Sequence, residues 1–127
     1  MRLSESDKPT IHLSHFDTES ITINHQRYTE SLVILPSGVE TVKINHLQDI
    51  GNEQLLQWIS TQPDMLIIGT GQRHVTLPKS ISDTLSHHNI SVEVMSTPSA
   101  CRCLCVLLEE ERRFVAVLIQ GARHGKI

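Results

Sequence analysis

Met65-Leu66-Ile67-Ile68-Gly69-Thr70-Gly71 decides the fold. Four apolar residues run without a polar break and then stop in glycine and threonine. A short continuous apolar run of this kind reads as a strand covered on both faces. A second run, Val92-Glu93-Val94-Met95-Ser96-Thr97-Pro98-Ser99-Ala100, ends in the same small and hydroxylic residues. A helical stretch separates the two, so they form a βαβ unit with a right-handed crossover and a parallel core. In open α/β sheets ligands sit beyond the carboxyl ends of the strands. The Gly-Thr-Gly turn and the helix start at Thr97 therefore mark where a site is expected.

Working outward, Asn52 to Ser60 is expected to be helical. Gly51 or Asn52 can cap it, Glu53 complements its N-terminal dipole, and Leu55, Leu56 and Ile59 share one face. Trp58 lies one residue off that stripe. It is expected to be partly buried, with a partner surface as the alternative reading. Leu77-Pro78 opens a second helix with proline at the first helical position. Ile81 and Leu85 line its inner face, and Asn89 is a left-handed stop. Thr97 caps a third helix, whose stripe is Ala100, Cys101, Leu104, Leu107 and Leu108. Phe114 to Ile119 is again continuous and is expected to be a central strand. Its direction stays open, because the link Glu109 to Arg113 is short.

The N-terminal half reads as β. Ile21-Thr22-Ile23 and Ser31-Leu32-Val33-Ile34-Leu35 are expected to pair antiparallel across an Asn24-His25-Gln26-Arg27 turn. Val39 to Ile44 adds a weaker third strand. The expectation is an α/β fold, a single-domain three-layer α/β/α sandwich around a mixed, partly parallel sheet, with an N-terminal hairpin or meander. Residues 1–16 are expected to form a flexible arm, 17–120 the domain and 121–127 a tail.

The 127 residues carry a net charge of −3, with 39% hydrophobic and 20% charged side chains. That size buries roughly two thirds of the unfolded surface without staples. The acidic balance argues against nucleic-acid binding, which wants a basic face. No apolar run approaches the ~20 residues that span a bilayer, and the N-terminus lacks a signal peptide's apolar core. The expected setting is cytoplasmic, without membrane insertion. Cys101, Cys103 and Cys105 crowd into one short segment and read as reduced thiols rather than a disulfide framework.

The chemistry expected of the turn is anion binding. Glycines let amide N–H groups approach a ligand, and a helix N-terminus attracts negative charge. Candidate pocket residues are Gly69, Thr70, Gly71, Arg73, Thr97, Ser99, Ala100 and Arg102, with Arg102 as a bidentate partner for a carboxylate or phosphate. The turn is neither a dinucleotide fingerprint, since His74 replaces the required glycine, nor a Walker loop. No converging metal-ligand set is present, so no metal or cofactor is expected. Cys101 near the helix start is a possible reactive thiol.

Taken together, Ile23 through Leu35-Pro36, Asp64 through Gly71, Ile90 through Thr97, Ala100-Cys101-Arg102 and Arg113 through Leu118 resemble one family. It is the Mth-type domain of unknown function shared with the mitochondrial respiratory complex I assembly factor 3 and the adipogenesis-associated Mth-domain proteins. The resemblance spans roughly residues 17 to 120. It implies a three-layer α/β/α fold, no established enzymatic activity, and a shared pocket at Gly69, Thr70, Gly71, Thr97, Ala100 and Arg102. This chain departs from it after the arginine: Cys103-Leu104-Cys105 stands where relatives carry Thr-Tyr-Asn. The function expected is therefore a non-enzymatic accessory or assembly-type protein that binds a protein partner or a small anion. The alternative is a small enzyme that holds an anionic substrate at the glycine turn and Arg102, with Cys101 or His74 reactive.

Overall fold

The computed structural model describes residues 11–17, 19–73, 75–110 and 112–120. Its strands are β1 (Leu13–Phe16), β2 (Ile21–Ile23), β3 (Gln26–Tyr28), β4 (Ser31–Leu35), β5 (Gly38–Val42), β6 (Met65–Gly69), β7 (Ser91–Met95) and β8 (Phe114–Leu118). Its helices are α1 (Asn52–Ile59), α2 (Lys79–His87) and α3 (Thr97–Leu107), and a short 3-10 turn at Leu47–Asp49 precedes α1.

Five strands make the central sheet in the order β5-β4-β8-β6-β7. β6 is parallel to both β7 and β8. β4 is antiparallel to β5 and β8, so it alone runs against the other four. The chain steps outward from β6 through α2 to β7. It then returns through α3, past β6, to β8. Right-handed crossovers in opposite directions must use opposite faces. Accordingly α2 packs with α1 on one face and α3 on the other.

Alternate residues of the strands supply the two cores. Val33, Leu66, Ile68, Val115 and Val117 meet Leu55, Trp58 and Ile59 of α1 and Ile81 and Leu85 of α2. Leu32, Ile34, Ile67, Ala116 and Leu118 meet Ala100, Cys101, Leu104 and Leu107 of α3. β6 and β8 are buried on both faces, which is why their sequences do not alternate. The architecture is the expected α/β sandwich around a mixed sheet.

Three sequence-based expectations are corrected. β2 pairs with β1 and β3 in a separate antiparallel meander, not with β4. The turn is only Asn24-His25, both left-handed at φ 53° and 70°. Two positive φ angles are what a two-residue hairpin turn takes to match strand twist, so Gln26 and Arg27 are free to enter β3. The segment expected as an arm ends in β1, whose Leu13 joins Ile21 and Ile23 in the α3-side core. The meander thus shares that outer layer with α3. Thirdly, Trp58, expected to be only partly buried, is 4% exposed.

Candidate functional site

The site expected at the sheet's carboxyl end is built from the ends of β6, β7 and β8. Thr70 N donates to Met95 O (2.8 Å), Ile119 N to Gly69 O (2.9 Å) and Thr97 N to Gly71 O (2.7 Å). The Thr97 hydroxyl lies among all three strand ends. Its Oγ1 accepts from Gly71 N (2.8 Å) and donates to Ile119 O (2.8 Å). Thr97 is therefore not the helix cap. Ser96 is: its Oγ accepts from Ser99 N, and Pro98 sits inside the first turn. The capping preference for small hydroxyls does not separate neighbouring Ser and Thr. The tertiary demand of the turn takes Thr97 away.

This geometry closes the turn on itself. In the first turn of α3, Thr97 N and Ser99 N have the partners above, Ala100 N donates to Ser96 O, and Pro98 has no N–H. The amides of Thr70 and Gly71 are likewise engaged. Gly69 is dictated by crowding. A Cβ there would lie 2.8 Å from Thr97 Oγ1, 2.9 Å from Thr97 Cα and 3.2 Å from Ala100 Cβ. Gly71 holds φ +101°, a conformation L side chains avoid. Gly69, Gly71, Thr97 and Ala100 come together, and they do so as a packing and hydrogen-bonding junction.

The remaining candidates sit apart. The Thr70 hydroxyl contacts the backbone oxygens of Arg73 and Met95. Ser99 is part of the cap, with its Oγ 3.1 Å from that of Ser96. Arg73 and Arg102 are exposed and have no side-chain partner among the described residues. His74 lies outside the described residues. Cys101 is 0% exposed, and burial, ahead of nearby Cys105, pushes its thiol up to about 12. A neutral thiol without accessible surface is not the nucleophile that the enzyme alternative needs. Cys103 is half-buried and Cys105 exposed. No group of His, Cys, Asp or Glu able to hold a metal occurs among the described residues.

Two features escaped the sequence reading. One is a buried polar knot. Ser31 Oγ donates to Ile44 O (2.6 Å) and accepts from Gln120 N (2.9 Å), while Gln120 Nε2 donates to Glu30 O (2.8 Å) and Tyr28 O (3.2 Å). A polar residue bordering each of two strongly apolar strands was the available signal. The other is a cavity of about 160 Å³ between β5 and α1, lined in part by Leu35, Glu40, Val42, Gln54, Gln57 and Trp58. It shares no residue with the glycine turn.

The chain is similar to known proteins over most of its length. It is 26% identical over 111 residues to the NADH dehydrogenase (ubiquinone) 1 alpha subcomplex assembly factor 3 of Rattus norvegicus, covering 86% of this chain but 60% of that protein. It therefore spans less than two thirds of that relative. It is 29% identical over 99 residues to a protein of Francisella tularensis subsp. holarctica named 13 kDa major membrane protein, covering 76% and 80% of the two chains. No helix among the described residues is long and apolar enough to cross a membrane. In fold it matches a Bordetella pertussis solution structure described as a Mth938-like domain, with TM-score 0.73, 22% identity and 91% of each chain covered. The family model described as protein of unknown function (DUF498/DUF598) matches residues 13–119, and the chain belongs to that family.

Proposed function

We propose that this chain is a non-enzymatic, assembly-type accessory protein that acts by holding a protein partner. The observation that carries the reading is the closed turn. Where an open α/β sheet usually receives its ligand, the Thr97 hydroxyl, the backbone at the strand ends and the Ser96 cap already use the amides of Thr70, Gly71, Thr97, Ser99 and Ala100. The candidate nucleophile Cys101 is buried and neutral. The names of the assembly-factor relatives point the same way. A cytoplasmic setting is part of the proposal: Cys101, Cys103 and Cys105 are free thiols, as a reducing compartment keeps them.

One observation favours a second reading, a small-anion site. Arg73 follows the turn by two residues, Arg102 lies in α3, which starts beside the turn, and both present exposed side chains. With Gly69, Thr70, Gly71, Thr97, Ser99 and Ala100 they would hold a small acid at the strand ends.

The two readings separate in one paired experiment. Cross-linking of the tagged chain in its own cells, followed by mass spectrometry, is expected to recover one partner in fixed stoichiometry. Thermal-shift measurement against phosphate, sulfate and small carboxylic acids is expected to give no change. A saturable shift lost in Arg102→Ala, with the chain otherwise recovered alone, would overturn the assembly reading in favour of the anion site.

A further inference from the structure

We infer that the groove between β5 and α1 takes an extended partner segment that adds to β5 as a sixth strand and sets a basic side chain against Glu40. This rests on the reading of the chain as a protein that binds a protein.

β5 is an edge of the five-stranded sheet. An edge strand leaves a row of backbone donors and acceptors for another chain, and extended peptides bind by completing such a row. The sequence of β5, Gly38-Val39-Glu40-Thr41-Val42, has neither proline nor lysine to block the edge. Register fixes which face its side chains use. Val33 opposes Glu40 and Ser31 opposes Val42. Directly opposed residues share a face, and Val33 belongs to the α1 side. Glu40 and Val42 therefore lie on the face that carries α1, where the cavity opens beside them. Its floor includes Leu35, Val42 and Trp58 and its helix wall Gln54 and Gln57. A strand laid along β5 would send every second side chain toward that floor.

The charge selects the occupant. Among the residues that line the cavity the one charged side chain is the carboxylate Glu40, and neither β5 nor α1 contains Lys or Arg. Lys43, the next residue, lies outside the strand. A second copy of this chain is the poorer fit. Two β5 strands paired in full antiparallel overlap would bring Glu40 opposite Glu40, and like charges so placed are unfavourable. A cation opposite Glu40 is favourable by the same rule. The other edge, β7, also has a central glutamate, Glu93, but helices α2 and α3 both pack against it.

The probe is the blocked pentapeptide Thr-Val-Lys-Val-Thr, compared with the same peptide carrying glutamate at the centre. Trp58 is the single tryptophan of the chain, so its fluorescence reports occupancy of the groove, and amide shifts map the contact. The expected result is binding of the lysine peptide at least threefold tighter than the glutamate peptide, with shifts confined to β5 and α1. Glu40→Lys, an exposed position, should reverse that preference, and Glu93→Lys should leave it unchanged. Equal binding of both peptides, shifts elsewhere, or a preference that follows Glu93 instead of Glu40 would overturn the proposal, as would no response at millimolar peptide. Cross-linking separates this from the parent reading. A partner recovered equally by wild type and Glu40→Lys leaves the assembly role standing and removes the groove as its site. No partner with wild type removes the assembly role, and the peptide titration then decides the groove alone.

Discussion

The hydroxyl of Thr97 bridges Gly71 N and Ile119 O, each at 2.8 Å, and so ties the ends of β6 and β8 to the start of α3. One side chain both accepts and donates, and it is 7% exposed. The bridge gives the Gly71 amide and the Ile119 carbonyl a partner within the chain.

Thr97→Val keeps the shape and deletes both bonds, leaving a buried amide and a carbonyl without that partner. Each such group costs about 1–3 kcal/mol. Thermal unfolding should shift down by several degrees, while Thr97→Ser, which keeps the hydroxyl, should lose much less. Equal melting temperatures for wild type and Thr97→Val would show that the bridge contributes nothing to stability.

Gly69→Ala places a methyl 2.9 Å from Thr97 Cα, a backbone atom that cannot swing aside. Overpacking of this kind costs about 1–3 kcal/mol, and denaturant unfolding should show it. Adding Ala100→Gly removes only the 3.2 Å contact and should not restore stability. A full rescue by Ala100→Gly would mean that helix and strand separate freely.

Cys101 titrates at about 12 in the fold against an ordinary 9.0. Between these values the folded chain holds a proton that the unfolded chain has released. Its contribution to stability is therefore complete below pH 9 and lost as the pH rises toward 12. The difference in unfolding free energy between wild type and Cys101→Ala should narrow across that window. Below it, iodoacetamide should label exposed Cys105 well before Cys101; comparable labelling rates would contradict the burial of Cys101.

His25 holds φ 70° in the β2–β3 turn. A left-handed conformation costs an L residue roughly 1–2 kcal/mol, and glycine adopts it freely at some cost in unfolded-state entropy. His25→Gly should raise the denaturant midpoint by about 0.5–1 kcal/mol in stability terms. A lower midpoint would show that the imidazole makes a compensating contact.

Much of the fold was legible because its signals are local. Met65–Gly69 and Phe114–Leu118 are too apolar to be anything but strands covered on both sides, and both are. Asn89 stops α2 in the left-handed conformation that its residue type suggests. β1 and β3 were not legible. Three or four residues with one or two apolar side chains carry no periodicity, and they become strands only by pairing with β2.

The candidate site divides the same way. Sequence alone determined where the strands end and that α3 begins beside the Gly69–Gly71 turn. Those follow from residue-by-residue preferences for backbone conformation and burial. The glycines read as room for a ligand, and only the structure shows the crowding at Gly69 and the positive φ at Gly71. Only tertiary structure decided that Ser96 is the cap and that Thr97 serves Gly71 and Ile119, since these partners lie 26 and 22 residues away. It also decided that β8 runs parallel to β6, and that β5 and α1 leave a groove between them. Such pairings are set by which faces and hydrogen-bonding groups remain unmatched once the strands assemble, and no local window of sequence contains that competition.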